Sequence, residues 1–249
     1  MSEKKGTLYG IGVGPGDPEL ITMKAVRVLK EVDIVFTAAS TKNSFSLAVN
    51  IAQPHIPEDA TVEVLSFPMS DDFDEKMISW EAHSKRVTEE LEKGKNVAFL
   101  TLGDPMTYST YGYVLQFMQA NSPGYDIVTI PGITSYQAAA ACVNRPLVEG
   151  EESLLLTSGA YGGSHLRNNN GGPENIVLLK AYKNVNDIEA ALGEKNMLDN
   201  SLAVSKCGRQ DEEVINDIRE LKTRKPDYWT LIIAKQQKNG TYKKKKAEL

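Results

Sequence analysis

The chain has 249 residues, 41% of them hydrophobic, a formal net charge of -5 and two cysteines. That length supports one large core or two smaller ones sharing an interface, while so few thiols argue against a disulfide framework or a thiolate metal cage. The acidic balance gives no overall attraction to nucleic acid or anionic lipid. No apolar run approaches the roughly 18 to 20 residues that cross a bilayer, and MSEKKG lacks the apolar core of a signal peptide, so a cytoplasmic globular enzyme with no membrane partner is expected.

TLYGIGV at 7–13 reads as a buried strand, and the loop GPGDP leads into ELITMKAVRVLKEV, where Ile21, Ala25, Val28, Leu29 and Val32 share one helical face. Asp17 suits the N-cap of that helix and Pro18 its first position. DIVFTA, SLAVNIAQP and TVEVLSFP follow; MISWEAHSKRVTEELEKG is an amphipathic helix ended by Gly94, and NVAFLTL a strand running into a second Gly-Asp-Pro turn. STYGYVLQFMQA precedes YDIVTIPGITSYQAAAACV, a strand, a Pro-Gly break and a small-residue helix capped by Thr134 or Ser135. Strands alternating with helices predict a mainly parallel sheet with ligands at the carboxyl ends of its strands.

RPLVEGEE at 145–152 changes the texture, and SLLLTSG, NIVLLKAY, SLAVSKCG and YWTLIIAK read as strands of a second α/β unit. The expected division is 1–147 for the first domain, 148–240 for the second and 241–249 for a solvated, disordered tail containing Lys243 to Lys246. AYGGSHLRNNNGGPE at 160–174 lacks helical periodicity and reads as a mobile loop.

GIGVGPG invites a dinucleotide reading, but its spacing fails: a G-x-G-x-x-G started at Gly10 meets Pro15 at the last position, and one started at Gly12 meets Asp17. The helix start that would hold a pyrophosphate also carries Asp17 and Glu19, whose charge repels phosphate. An acidic glycine turn suits a ligand without phosphate that presents cationic or hydroxyl groups. S-adenosylmethionine is one such ligand, which composition alone does not single out.

GVGPGDPELITMKAVRVL at 12–29, VAFLTLGDPMTYSTYGYV at 97–114 and IPGITSYQAAAA at 130–141 resemble the three signatures of the tetrapyrrole (corrin/porphyrin) methylase family, and RPLVEGEE, LLKAYKN and SKCGRQDE extend the match. The turn GDP followed by YST is similar to the branch that methylates precorrin-2, or its cobalt-bearing counterpart, at the C(20) meso carbon. Other ring carbons and a non-catalytic carrier of corrinoid intermediates remain alternatives. The resemblance implies two α/β domains, each with a central mainly parallel (mixed) sheet, with S-adenosylmethionine in the cleft between them, a reduced tetrapyrrole as substrate, and a homodimer. It places Pro15, Gly103, Asp104, Met106, Thr134, Ser135, Tyr182, Cys207, Trp229, Thr230 and Leu231 at the cofactor, with Asp104 as polar anchor. Gly14, Gly16, Tyr111, Arg145 and Arg209 fall toward the substrate, and Tyr108 at the reacting ring. The family supplies a helix after the SLLLTSG strand, where this chain has its Gly/Asn-rich segment.

Methyl transfer from a sulfonium is an in-line displacement that needs alignment more than an activated protein nucleophile, in keeping with the lack of a Ser-His-Asp or Cys-His motif. Loss of the meso proton could use solvent or a substrate carboxylate, and no base is assigned. Tyr108, Tyr111 and Tyr113 either orient the ring or pack as core aromatics. The substrate's acetate and propionate arms require cations, for which Lys42, Arg145, Lys180, Lys183, Lys206 and Arg209 are candidates beside the motifs, each also readable as a solvated surface charge. His55, His83 and His165 are too scattered for a metal triad, His83 is expected to face solvent, and any cobalt would arrive bound by the ring nitrogens, so no protein-bound metal is expected.

Overall fold

The structure, a computed structural model, describes residues 5–40, 47–68, 70, 72–168 and 172–237. Lys42 and the 241–249 segment with Lys243 to Lys246 lie outside the described residues. The chain divides into two compact units, Met1–Ser135 and Tyr136–Leu249.

In chain order the first unit contains β1 (Thr7–Gly12), α1 (Met23–Leu29), β2 (Ile34–Ser40), α2 (Leu47–Ala52), β3 (Thr61–Phe67), α3 (Phe73–Glu92), β4 (Val97–Thr101), α4 (Tyr111–Asn121) and β5 (Asp126–Ile130). The five strands form one sheet in the order β3-β2-β4-β1-β5, with every pairing parallel. Successive residues of a strand face opposite sides. On β4, Ala98 and Leu100 join Ala25, Val28, Leu29 and Ile51 of α1 and α2, while Val97 and Phe99 join Val87 and Leu91 of α3 and Val114 and Met118 of α4. Burial on both faces explains why these strands read as continuous apolar runs. Each fully buried aliphatic or aromatic side chain contributes about 1.5–3 kcal/mol of transfer free energy.

One helix start differs from expectation. Asp17 caps only a 3-10 turn, Pro18–Leu20, by accepting from Glu19 N, and the chain is extended again at Ile21. The α-helix begins at Met23, capped by Thr22 Oγ1, which accepts from Ala25 N at 3.2 Å. The lysine cluster at the end of α3 is organised by Glu90, whose carboxylate lies 2.5 Å from Arg86 Nη1 and 2.8 Å from both Lys93 Nζ and Lys95 Nζ. Bonds from Lys93 and Lys95, then Arg86, hold its pKa down to about 2. His83 is not simply solvated: its Nε2 lies 2.9 Å from Ser66 O and its ring packs on Phe67, because the amphipathic face of α3 covers the end of β3.

The second unit contains α5 (Ser135–Cys142, its first residue in the first unit), β6 (Leu154–Ser158), α6 (Ser164–Arg167), β7 (Asn175–Leu179), α7 (Val185–Glu194), β8 (Ser201–Ser205), β9 (Glu213–Ile215), α8 (Leu221–Arg224) and β10 (Thr230–Lys235). Its sheet runs β6-β7-β10-β8-β9. Only β6 and β7 pair in parallel; β10 lies antiparallel between β7 and β8, and β9 returns antiparallel on β8. The sheet is thus mixed with antiparallel pairs in the majority, since the short link after β8 allows a return strand but no helical crossover. Ala139 and Ala140 of α5 pack on Val177, Val204 and Ile233, so α5 covers one face of this sheet. Leu166, Ile188, Leu192 and Leu221 of α6, α7 and α8 cover the other.

The expected mobile loop is corrected over 160–168. Leu166 of α6 is 1% exposed, and Arg167 bridges α6 to α7 by pairing with Asp187 at 2.8 Å and Glu194 at 3.0 Å. Gly163 N also donates to Asp187 Oδ2. A single helical turn is too short to show a periodicity, and its anchors lie twenty or more residues downstream.

Candidate active site

The loops after β1, β4 and β5 meet at the carboxyl edge of the parallel sheet. β1 and β4 are neighbours, yet β1 leads to α1 on one face and β4 to α4 on the other, the strand arrangement that opens a ligand crevice in such sheets. Backbone contact between the loops is close. Gly103 N donates to Gly14 O at 2.7 Å and Gly14 N to Gly103 O at 3.3 Å. Glycine is required by geometry: Gly14 and Gly103 are left-handed, with φ of 84° and 73°, and a Cβ on Gly132 would lie 2.1 Å from Gly103 O.

Asp104 clasps this arrangement. Its Oδ1 accepts from Met106 N at 2.9 Å and Thr107 Oγ1 at 3.4 Å, and its Oδ2 accepts from Gly132 N, on the third loop, at 3.1 Å. A carboxylate offers about four acceptor positions, so one lone pair on Oδ2 is left for a ligand donor. Thr134 is buried and Ser135 half-buried just beyond Gly132, while Pro15 is buried and Gly16 half-exposed on the first loop. Met106 is 63% and Tyr108 55% exposed. Tyr108 also has a φ of 51°, a conformation that costs a non-glycine residue about 1–3 kcal/mol and is concentrated at functional sites.

Tyr111, expected to contact substrate, is corrected to a core residue. It is 0% exposed, its ring lies where a Cβ on Gly10 would stand, and its hydroxyl pairs with Thr129 Oγ1 at 3.0 Å. Burial raises its pKa, so the phenol stays neutral. Its neighbour Ser109 accepts from Tyr111 N and lies 3.2 Å from Thr101 Oγ1, tying the loop back to β4. Tyr113 stacks on Trp80 at 4.0 Å, a packing role. Gly132, Thr107 and Ser109 carry site geometry but were not among the expected site residues; the Pro-Gly break before α5 was the available signal for Gly132.

In the second unit, the residues expected at the cofactor gather at one sheet edge, where β7 and β8 end and β10 begins. Ala181 N donates to Thr230 O at 2.8 Å and Lys206 N to Trp229 O at 3.1 Å. Thr230 is buried with its hydroxyl donating to Ser205 Oγ, Leu231 is 3% exposed in the core, and Trp229 is 40% exposed beside Tyr228, whose ring also meets Tyr182. Cys207 is 5% exposed; burial first, then Glu212, pushes its thiol up to about 12. Cys142 donates to the same Glu212, which raises its thiol to about 11. Both therefore stay protonated at neutral pH, and the shared carboxylate went unread in the sequence.

Three of the expected substrate cations of this unit, Arg145, Lys206 and Arg209, have polar protein partners. Arg145 Nη2 donates to Asn200 O and Oδ1, both at 2.6 Å, and burial lowers its pKa. Arg209 Nε lies 3.1 Å from Asp211 Oδ1, and Lys206 Nζ 2.9 Å from Asp211 Oδ2. Among the described residues no group of three or more His, Cys, Asp or Glu side chains is arranged to hold a metal ion, and no helix is long and apolar enough to cross a membrane.

Comparison with known proteins shows the family. The model of the Tetrapyrrole (Corrin/Porphyrin) Methylases matches residues 7–222. The cobalt-precorrin-2 C(20)-methyltransferase of Salmonella typhimurium is 33% identical over 93% of this chain and 97% of its own. A probable cobalt-precorrin-2 C(20)-methyltransferase of Methanocaldococcus jannaschii is 34% identical over 96% of this chain and 100% of its own. Among solved structures, the uroporphyrin-III C-methyltransferase of Thermus thermophilus in complex with S-adenosylhomocysteine shares the fold, with a TM-score of 0.61, 21% identity, and coverage of 92% of this chain and 97% of that one. With a family model spanning most of its length and relatives matched nearly end to end, the chain belongs to the tetrapyrrole (corrin/porphyrin) methylases.

Proposed function

We propose that this chain transfers a methyl group from S-adenosylmethionine to the C(20) meso carbon of precorrin-2 in the building of the cobalamin corrin ring. The observation that carries the reading is the clasp of three signature loops by Asp104 and the Gly14–Gly103 contact, in a chain matched nearly end to end by relatives named for C(20) methylation. Both of those relatives are named for the cobalt-bearing ring, which favours that form of the substrate.

The donor set suits such a cofactor. The edge presents a carboxylate with one open acceptor position and backbone groups, with Thr134 and Ser135 just beyond Gly132, while the first loop's acidic turn disfavours phosphate. Pro15, Gly103, Asp104, Met106, Thr134 and Ser135 of the first unit, with Tyr182, Cys207, Trp229, Thr230 and Leu231 of the second, are the residues proposed to hold it. Cys207 and Leu231, being buried, would act through their backbone. When bound, S-adenosylmethionine supplies an electrophilic methyl on a sulfonium. The protein's share is positioning, which at its best lowers a barrier by about 7–11 kcal/mol. Tyr108, exposed and held in the left-handed region, is the side chain proposed to fix the ring, with Gly14 and Gly16 allowing close approach of backbone. A cytoplasmic homodimer belongs to the same reading, and light scattering at micromolar concentration checks the assembly.

Mass spectrometry after anaerobic incubation with S-adenosylmethionine and either metal-free or cobalt-bearing precorrin-2 tests the proposal. Gain of one methyl is expected, faster on the cobalt form. Binding of the donor without methylation of either ring would remove the C(20) assignment and redirect the search to other tetrapyrrole intermediates.

A further inference from the structure

The edge of the second sheet where β7 and β8 end carries four cations, and the structure divides them into two kinds. Lys206 and Arg209 share Asp211, with Asp227 Oδ2 a further 3.9 Å from Lys206 Nζ. Lys180 and Lys183 do not form such pairs. Lys180 Nζ lies 5.5 Å from the centre of the Tyr228 ring and Lys183 Nζ 5.1 Å from that of Tyr182, and among the described residues neither forms an ion pair with a carboxylate. An ammonium over a ring face is steadied by the ring quadrupole but keeps its N–H donors for another partner.

Their setting is built rather than incidental. Lys180 has a φ of 57°, a region a lysine enters at a cost, and the chain is held there by the hydrogen bond from Ala181 N to Thr230 O. Tyr182 and Tyr228 meet edge to face at 5.3 Å, and Tyr228 and Trp229 at 5.1 Å. Tyr228 and Trp229 are 36% and 40% exposed. The result is a shelf of three rings bearing two cations at the edge of an otherwise acidic protein, which suits an organic ligand that combines an apolar body with a carboxylate.

We infer that, of the cations first considered for the substrate's carboxylates, Lys180 and Lys183 are the ones that form a carboxylate-binding site, beside the Tyr182–Tyr228–Trp229 rings. This rests on the methyltransferase reading above, which supplies two sources of that chemistry: an acetate or propionate arm of the tetrapyrrole, or the methionyl carboxylate of the methyl donor. The ring arm is the source we assign, because the substrate carries several carboxylates and the chain's other cations here are already paired.

The test compares full-length wild type, Lys180→Met, Lys183→Met, the double variant and the double lysine-to-arginine variant. Affinity is read by tryptophan quenching for a free-carboxylate reduced tetrapyrrole and its methyl ester, and by calorimetry for S-adenosylhomocysteine. The double methionine variant should bind the free acid at least about tenfold more weakly while S-adenosylhomocysteine affinity holds. The ester should be insensitive to the substitutions, and arginine should restore binding. Loss confined to S-adenosylhomocysteine would keep the carboxylate site and assign it to the donor. If both affinities match wild type in an enzyme that still methylates its ring, this inference falls alone. A wild type that neither binds nor methylates a tetrapyrrole overturns the functional reading and this site with it. Should Lys180→Met fail to fold, Lys180→Gly relieves the backbone and removes the same charge.

Discussion

After β1, Asp17 accepts one hydrogen bond, from Glu19 N two residues away; after β4, Asp104 accepts from Met106 and Thr107 and also from Gly132, 28 residues downstream. Both aspartates sit in the same Gly-Asp-Pro tripeptide, and in both the side chain turns back on its own loop, as short acceptor side chains do before a proline turn. What separates them is the arrival of a third strand. β5 pairs with β1 and delivers Gly132 to the far side of the β4 loop, where the second oxygen of Asp104 meets it. A local motif thus becomes a tertiary clasp at one site and remains a cap at the other.

The largest way to break the comparison is Gly132→Ala. Its methyl would overlap the Gly103 carbonyl, and the close packing of the three loops gives it nowhere to go. We expect a loss of about 3 kcal/mol or more by denaturant unfolding, together with lost methyl transfer. Next is Asp104→Ala, which leaves the Gly132 and Met106 amides without their acceptor and should cost about 2–3 kcal/mol. Asp104→Asn separates the two roles: it restores the local turn but presents one oxygen in place of two. Calorimetry with S-adenosylhomocysteine should then show affinity still reduced at least about tenfold; wild-type affinity would mean the carboxylate serves the loops alone.

Glu90 gives the acid-sensitive counterpart, a carboxylate clasped by lysines and an arginine in place of amides. Its folded pKa of about 2 lies below the usual 4.5. The stability it supplies is complete above that usual value and is lost as pH falls through 4.5 toward 2. The loss should be on the order of 2 kcal/mol, absent in Glu90→Gln, and measurable by unfolding at a series of pH values. The smallest effect belongs to Asp17→Ala, about 1 kcal/mol for a lost cap, with S-adenosylhomocysteine affinity unchanged. An Asp17→Ala protein that loses the cofactor would erase the distinction between the turns.

Much of the first unit could be read directly. TLYGIGV, NVAFLTL and YDIVTI are apolar because their strands are buried on both faces, and MISWEAHSKRVTEELEKG shows its stripe because α3 covers one sheet face for twenty residues. The second unit was less legible. β9 spans three residues and α6 four, too few to display a period, and the antiparallel entry of β10 leaves no mark on an apolar run. Thr22 in place of Asp17 as the cap of α1 was hidden by a 3-10 turn that breaks before the helix begins.

The site divides in the same way. Residue type and spacing sufficed to mark the two Gly-Asp-Pro turns and the Pro-Gly break and to argue against a pyrophosphate at the first of them, because these follow from glycine geometry and charge at a chain turn, whereas Asp104 was set apart from Asp17 only by the family resemblance. They did not separate Tyr108 from Tyr111, three residues apart, one exposed and strained and the other sealed beneath β1. Nor did they distinguish Arg209, paired with Asp211, from Lys180, resting on a tyrosine ring. A sequence determines what each side chain can offer; whether an offered charge or hydroxyl is already taken depends on partners brought from distant parts of the chain, and only the tertiary structure decides that.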